Sequence, residues 1–173
     1  MKKTFVISIF LLFLTFSLFA FPRNAFSFGL SIMGVHGVEE EKRDGIAVGG
    51  YVEDQLIFGE KNIVNFTTLL RTDVGYTVDQ STLSAFCCNY FNGAGILVRP
   101  LGGLEVNLSL GLGLFWAISK TPILDLSAGG LASISYAFGK DRAIFLTSGI
   151  HTSYGFIFKS IYYSGYIGSG IRF

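Results

Sequence analysis

The sequence has little cysteine, little proline and little charge for its length. Its two cysteines, Cys87 and Cys88, are adjacent, so on a strand they would point to opposite faces. They predict neither a disulfide framework nor a zinc site, and we interpret them as packing residues. Charged residues make up 14% of the chain and form no basic patch, which argues against a nucleic-acid partner. We also expect no metal and no cofactor, because the sequence has no metal-ligand cluster and no phosphate-binding glycine loop.

Beyond the N-terminal segment, no apolar stretch approaches the roughly 18 residues that a membrane helix needs. The N-terminal segment has two lysines directly after Met1, continues with an apolar run from Phe5 to Phe21, and ends at the small residues Ala25 and Ser27. This order is typical of a secretory signal peptide for export through the Sec pathway. We predict a signal peptide at residues 1–27, cut after Ser27 or, as the alternative, after Ala20. A retained membrane helix is the competing interpretation.

The segment from Leu104 to Trp116, LEVNLSLGLGLFW, has a strict period of two. One face carries Leu, Val and Trp side chains, and the other carries Glu, Asn, Ser, Gly and Phe. This alternation predicts a β-strand, because a helix would scatter the leucines around its circumference and place glycines in its interior. Typical globular strands have about five or six residues, whereas a strand that crosses a bilayer needs about 9–11. We therefore predict a membrane-crossing strand.

The rest of the chain is interpreted as seven further strands, separated alternately by short glycine-containing turns and by looser polar segments. The predicted strands are residues 28–36, 45–58, 63–78, 85–99, 104–116, 124–138, 143–157 and 161–173. Asp54 falls on the apolar face of the second strand, where we expect a bulge or an early end. Strands joined in this way predict an all-β, eight-stranded, antiparallel, up-and-down barrel over residues 28–173.

The composition of the two strand faces predicts which face meets the barrel interior. One face is rich in Leu, Ile, Val and Phe, whereas the other carries mainly Gly, Ser and Thr with a few charges, which would make a poor apolar core. We therefore predict a transmembrane barrel with the apolar faces toward lipid; its sheet must close, because hydrocarbon satisfies no backbone polar group. An eight-stranded lumen is just filled by side chains. We expect paired charges inside, with a thin solute path as the alternative, from Glu53, Arg71, Asp73, Arg99, Glu105, Asp125 and Arg172.

Aromatic residues on the predicted lipid face concentrate toward the two ends of the strands. Such side chains favour the membrane interface, so the pattern predicts two aromatic girdles. The predicted girdle residues are Phe58, Phe66 and Phe138 near the short turns, and Tyr76, Phe86, Trp116, Tyr154 and Phe156 near the longer loops.

The chain ends with Tyr163, Ile167, Ile171 and a terminal Phe173 on one face of the last strand. With its signal peptide, four hairpins and short turns, the chain resembles the small eight-stranded outer-membrane proteins of the OmpA and OmpX type. The terminal alternation looks like the sorting signal read by the barrel-assembly machinery. The resemblance implies an outer-membrane location, contact with outer-membrane lipid and lipopolysaccharide, and delivery by periplasmic chaperones. We expect a monomer.

His151 and Ser153 share a strand face, as a general base and a nucleophile do. They resemble the His-x-Ser motif of outer-membrane lipid A deacylases, which implies catalytic roles for both. In those enzymes a Glu that orients the His follows the motif, but no Asp or Glu follows Ser153 in this chain. We therefore expect no catalysis and predict an integral outer-membrane protein with a structural or surface-interaction role and a lumen largely filled by side chains. The alternatives are a narrow channel for small or apolar solutes, similar to the OmpW type, and a lipid A-modifying enzyme.

Overall fold

Eight β-strands dominate the part of the chain that the computed structural model describes, namely residues 23–38, 44–59, 63–77, 86–118, 122–139 and 141–173. They are β1 (Arg23–Gly37), β2 (Gly45–Phe58), β3 (Val64–Thr77), β4 (Phe86–Val98), β5 (Leu104–Ile118), β6 (Ile123–Phe138), β7 (Ile144–Gly155) and β8 (Ser160–Arg172). Each strand is antiparallel to its neighbours, and β8 pairs with β1, so the sheet closes in sequence order. The predicted all-β, eight-stranded, up-and-down barrel is confirmed. Within the described ranges, no helix is long and apolar enough to cross a membrane.

The strand register gives the barrel a defined tilt. Following the paired residues once around the sheet from Ala25 leads to Val35, ten residues further along β1. A closed sheet with such a displacement has strands tilted about 35–45° from the barrel axis. At this tilt the 14 residues of β2 span about 35 Å along the axis, more than the apolar band of about 25 Å in an outer-membrane barrel.

The alternating residues of β5 face opposite sides of the barrel wall. Leu110 is 76% exposed on the outside, whereas its neighbour Ser109 is 4% exposed on the inside. The backbone of Asn92 on β4 lies where a side chain at Gly111 would begin. Small residues on the inner face therefore allow the strands to approach closely in a narrow barrel.

Short turns connect β2 to β3, β4 to β5 and β6 to β7 at one end of the barrel. Gly59 and Gly139 follow β2 and β6 with φ angles of 82° and 84°, a conformation that strains residues with a Cβ. We call this end the short-turn end and the opposite end the loop end.

The first strand begins earlier than predicted, at Arg23 instead of residue 28. Ala25 and Ser27 pair with both β2 and β8, and both are buried. The same residues also fit the small-residue exit of a signal peptide, so the predicted strand was placed after them. Cleavage after Ser27 would remove five residues of β1, whereas the alternative cut after Ala20 would leave β1 complete, so the strand pairing favours the alternative; both cuts remain predictions.

Asp54 causes neither the bulge nor the early end that its position suggested. The ladder between β1 and β2 runs without interruption, and Asp54 lies opposite Phe26 on β1 and Leu70 on β3. The other strand ends agree with the predictions to within two residues, except that the predicted ends at Val78 and Ala85 lie outside the described residues. A single charge on an apolar face is therefore compatible with a regular strand here.

Candidate functional site

The inward-facing side chains form three buried layers along the barrel axis. The apolar members are Ala25, Ile57, Leu97, Ala137 and Phe145 in the short-turn layer; Tyr51, Leu69, Phe91, Leu131 and Tyr166 in the middle layer; and Met33, Val35, Ala47, Cys87, Phe115, Ala117, Ile123 and Tyr162 in the loop-end layer. None of these residues is more than 8% exposed. Charged side chains accompany every layer, so the barrel interior is the candidate functional site.

The short-turn layer contains three of the seven predicted interior charges. Glu105 is buried and accepts hydrogen bonds from Arg99 Nε at 2.9 Å and from Arg172 Nη1 at 2.8 Å, with a further ion pair to Arg172 Nη2. The Arg172 guanidinium carbon also lies 4.8 Å from the centre of the Phe145 ring. Glu105 therefore joins Arg99, which follows β4, to Arg172 on β8.

Arg71 is the centre of the middle layer and is fully buried. Its Nε and Nη2 donate to the two carboxylate oxygens of Asp73 at 2.9 and 2.7 Å, and its Nη1 donates to Glu53 at 3.2 Å. The guanidinium carbon lies 4.0 Å from the ring centre of Tyr51 and 3.5 Å from that of Tyr166. A planar guanidinium suits such a bidentate contact between two aromatic faces. This arrangement joins β2, β3 and β8 across the interior.

His151 extends the middle layer from β7 to β4. Its Nδ1 lies 3.2 Å from the amide nitrogen of Asn89, and its ring centre lies 4.6 Å from that of Phe91. Asn89 is in turn the cross-strand partner of Asp73, so the amide lies between the Arg71 group and the imidazole. No group of three or more metal-ligating side chains occurs in the described part of the chain.

The geometry around His151 and Ser153 gives no support to lipid A hydrolysis. Both side chains point into the barrel and are buried, away from the outer wall. The group that contacts His151 Nδ1 is the amide of Asn89, and no described carboxylate hydrogen-bonds the imidazole. His151 Nε2 and Ser153 Oγ also make no hydrogen bond with each other. A serine nucleophile requires a base within hydrogen-bond reach and access to its substrate.

Asp125 lies apart from the other interior charges, at the loop end. It accepts hydrogen bonds from Tyr162 Oη at 2.6 Å, from the backbone N–H of Ile157 at 2.9 Å and from that of Phe158 at 3.4 Å. Gly155 permits this approach, because a Cβ at that position would overlap the Asp125 carboxylate. Asp125 therefore ties the connection between β7 and β8 to β6.

This connection, residues 156–159, lies at the loop end, and we call it the lid. Phe158 packs against the loop-end layer, in which the rings of Phe115 and Tyr162 stack with centres 4.2 Å apart. Lys159 has a φ angle of 47°, a left-handed conformation that costs energy in a residue with a Cβ. A cavity beside Cys87 measures about 10 Å³, room for one water molecule at most.

Four residues that shape this site were not predicted from the sequence, namely Tyr51, Tyr166, Asn89 and Phe158. A signal existed for the two tyrosines, because they are large aromatic residues on strand faces otherwise made of small and polar residues. Phe158 was a weaker signal, as an apolar residue in a predicted polar connection. The role of Asn89 depends on which residue lies across the barrel, which no local pattern reveals.

The predicted girdle residues lie on the outer wall, near the two ends of the barrel. Three pairs of them make ring contacts: Phe58 with Phe66 at 5.8 Å, Phe86 with Trp116 at 6.3 Å, and Tyr154 with Phe156 at 6.1 Å. Tyr76 and Phe138 are also exposed there, and so are the C-terminal residues Tyr163, Ile167, Ile171 and Phe173. Of the two cysteines, Cys87 is buried in the loop-end layer and Cys88 is half-buried, and neither is in a disulfide bond.

No protein-family model and no curated protein matches the chain. Solved structures with a similar fold include Ail, the attachment invasion locus protein of Yersinia pestis, with a TM-score of 0.60 and 13% identity over 88% of this chain and 99% of that chain. Neisserial surface protein A has a TM-score of 0.57 and 14% identity over 87% and 97%. The N-terminal β-barrel domain of Pseudomonas aeruginosa OprF has a TM-score of 0.52 and 16% identity over 88% and 99%. These are small eight-stranded outer-membrane barrels, so the predicted resemblance in fold is confirmed.

Proposed function

We propose that this chain is an integral outer-membrane barrel with a closed lumen and a structural or surface-interaction role. The observation that carries the proposal is the set of three buried layers, because each one joins strands from different sides of the barrel. Glu105 on β5 binds Arg172 on β8, Arg71 on β3 contacts Tyr166 on β8, and Phe115 on β5 stacks on Tyr162 of β8.

The paired charges of the middle layer make spontaneous opening of the lumen energetically costly. Moving Arg71 away from its partners would leave the buried carboxylates of Glu53 and Asp73 without a cation. An unpaired buried ion costs several kcal/mol. The middle layer is therefore expected to stay closed to ions and polar solutes.

The outer wall supports insertion in the outer membrane. Phe66 and Tyr76 belong to opposite girdles and are ten residues apart on β3, which is about 25 Å along the axis of a tilted strand. This distance matches the apolar band of outer-membrane barrels. We propose outer-membrane lipid and lipopolysaccharide as the surroundings of the wall. The barrel-assembly machinery is the proposed partner for insertion, through the C-terminal residues Tyr163, Ile167, Ile171 and Phe173.

A role in surface interactions would use the rim at the loop end. His36 and Asp44 form an exposed pair there, with Nδ1 and Oδ1 2.9 Å apart. Two similar structures carry names that refer to attachment and to the cell surface, namely Ail and Neisserial surface protein A. Those names support a surface role for this barrel as well.

Conductance in planar bilayers tests the closed lumen. Purified, folded protein is expected to give no current steps, because all three layers must open before ions pass. Protease resistance of the same sample in vesicles is the control for insertion. Regular current steps from the inserted protein would contradict the proposal.

A narrow passage for water or small solutes is the second candidate function. It is favoured by buried polar atoms that have no hydrogen-bond partner within the described chain, among them Asn89 Oδ1, His151 Nε2 and Ser164 Oγ. Buried polar atoms of this kind are normally satisfied by water. The osmotic shrinkage rate of proteoliposomes decides between the two functions. A rate above that of protein-free vesicles, lowered by His151→Phe, would support the passage, and equal rates would exclude it.

A further inference from the structure

Asp54 is the one Asp, Glu, Lys or Arg on the outward-facing positions of the eight described strands. It is exposed on the outer wall, and its neighbours there are apolar: Phe26 across β1, Leu70 across β3, and Val52 and Leu56 along β2. Among the described residues it has no hydrogen-bond or ion-pair partner. The structure therefore places an unpaired carboxylate on a wall that otherwise suits hydrocarbon.

The depth of Asp54 makes this position costly. Asp54 is four residues from Phe58 of the short-turn girdle, which corresponds to about 10 Å along the axis of a tilted strand. Its short side chain does not bridge that distance to the interface, and a charge facing hydrocarbon is unfavourable. The wall formed by β5 and β6 carries no such residue; from Leu104 to Trp116 its outward positions are Leu, Val and Trp.

Hydrogen-bond donors lie next to Asp54 on the same wall. Thr68 and Thr72 are the outward residues of β3 on either side of Leu70, and Asn92 on β4 is paired with Leu70. Hydroxyl and amide groups donate hydrogen bonds, whereas an ionised carboxylate only accepts them. We call Asp54, Thr68, Leu70, Thr72 and Asn92 the polar patch. The polar patch therefore contains a hydrogen-bond acceptor as well as hydrogen-bond donors.

We propose that the polar patch is the interface between two copies of this chain in the membrane. Copies inserted in the same direction are related by a two-fold axis along the membrane normal, and every contact of such an interface occurs twice. Asp54 of each copy then accepts hydrogen bonds from the donors of the other. A second copy is favoured as the occupant because the patch is complementary to itself, whereas lipid tails offer no donor. This proposal and the monomer expected from the sequence exclude each other.

In a dimer with a two-fold axis along the membrane normal, two residues that contact each other reciprocally must lie at the same depth in the membrane. The strand register gives Asp54 and Thr68 similar depths. Following paired residues from β1 through β2 to β8 and back to β1 ends ten residues nearer the loop end. Each step from one strand to the next therefore moves a paired residue about 3 Å toward the loop end. Leu70 thus lies about 3 Å beyond Asp54, and Thr68 lies within about 2 Å of the depth of Asp54. Asp54 and Thr68 are the reciprocal pair, with Leu70 packing beside them.

Sedimentation equilibrium of the folded protein in neutrally buoyant detergent micelles tests the proposal. The native protein is expected to dimerise reversibly. Asp54→Leu removes the acceptor and should raise the dissociation constant about tenfold, because the contact occurs twice in each dimer. Thr68→Val removes one donor and should raise it by about fivefold. Energy transfer between labelled copies in phospholipid vesicles should follow the same order.

Thr152→Val is the matched control, since Thr152 is an exposed hydroxyl residue on β7, on the far side of the barrel. It should leave the dissociation constant unchanged. Asp54→Leu should also make the monomeric barrel more resistant to urea, so loss of the dimer is distinguished from misfolding. A native protein that is monomeric at every concentration would overturn the proposal. So would a dimer that Asp54→Leu leaves intact or that Thr152→Val weakens equally.

Discussion

The two ends of the barrel interior are built by different chemistry. At the short-turn end, the carboxylate of Glu105 binds two arginines, Arg99 and Arg172. At the loop end, the carboxylate of Asp125 binds two backbone N–H groups of the lid, and Phe158 adds an apolar contact. Ion pairs stabilise the short-turn end, whereas hydrogen bonds between a carboxylate and the backbone of a turn stabilise the loop end.

The difference follows from the backbone at each end. β5 and β8 are paired on both sides, so Glu105 and Arg172 face each other in the fixed geometry that a buried ion pair requires. A turn instead exposes backbone N–H groups that need an acceptor, and one buried carboxylate provides it. We therefore expect the lid to be able to move away from Asp125 without loss of strand pairing.

The largest expected effect concerns the first five residues of β1. A chain that begins at Phe28 lacks Ala25 of the short-turn layer and the hydrogen bond from Arg23 Nη2 to the carbonyl of Asp141 at 2.8 Å. We expect such a chain not to fold, because β1 then leaves β2 and β8 unpaired at this end. The intact mass of the exported protein should therefore place its N-terminus at or before Arg23. A folded protein that begins at Phe28 would contradict this prediction.

Glu105→Gln should be the most destabilising single change at the short-turn end. It removes the carboxylate that contacts the buried Arg172 guanidinium and also takes one partner from Arg99, which costs about 3–5 kcal/mol. Urea unfolding followed by the fluorescence of Trp116, the single tryptophan, measures the loss of unfolding free energy. A loss below about 1 kcal/mol would place the pair among weak surface contacts and refute its assigned role.

Asp125→Ala should release the lid at the loop end. Two backbone N–H groups and the Tyr162 hydroxyl lose their acceptor, for which we expect a loss of about 1–3 kcal/mol. In a Cys88→Ala background, Cys87 of the loop-end layer, against which Phe158 packs, then reports opening. Its reaction with a water-soluble thiol reagent should become at least about tenfold faster. Glu105→Gln is the control, since it should not change the rate; equal rates in all three proteins would mean that the lid stays shut.

Phe158→Ala should have the smallest effect on stability. The phenyl ring is only partly buried, so its removal is expected to cost about 1–2 kcal/mol. The reaction of Cys87 should nevertheless accelerate, because the ring packs against the loop-end layer that contains Cys87. If stability falls while the rate of Cys87 modification stays at the native value, Phe158 is a packing residue and not part of a cover.

The sequence predicts the barrel because each strand carries its own evidence. In β5 the alternation of leucine with glycine and polar residues sets the strand, its length and its outward face, and these need no information from distant residues. The same reasoning placed the start of β1 five residues too late, because residues 23–27 fit both the exit of a signal peptide and the beginning of a strand.

The contacts of the interior depend on the register between strands. The sequence placed Arg71, Asp73 and Asp125 inside, but it did not show that Arg71 lies between Tyr51 and Tyr166. Nor did it show that Asp125 binds the lid instead of an arginine. Such contacts are set by shear and closure, which are properties of the whole sheet.

A nitroxide scan of residues 106–116 on β5 tests the outward orientation of the apolar faces most directly. In phospholipid vesicles, collision with dissolved oxygen should alternate with a period of two, with maxima at Leu108, Leu110, Leu112 and Leu114. Minima should occur at Asn107, Ser109 and Phe115, which face the interior. Maxima at the polar positions, or no alternation at all, would contradict it.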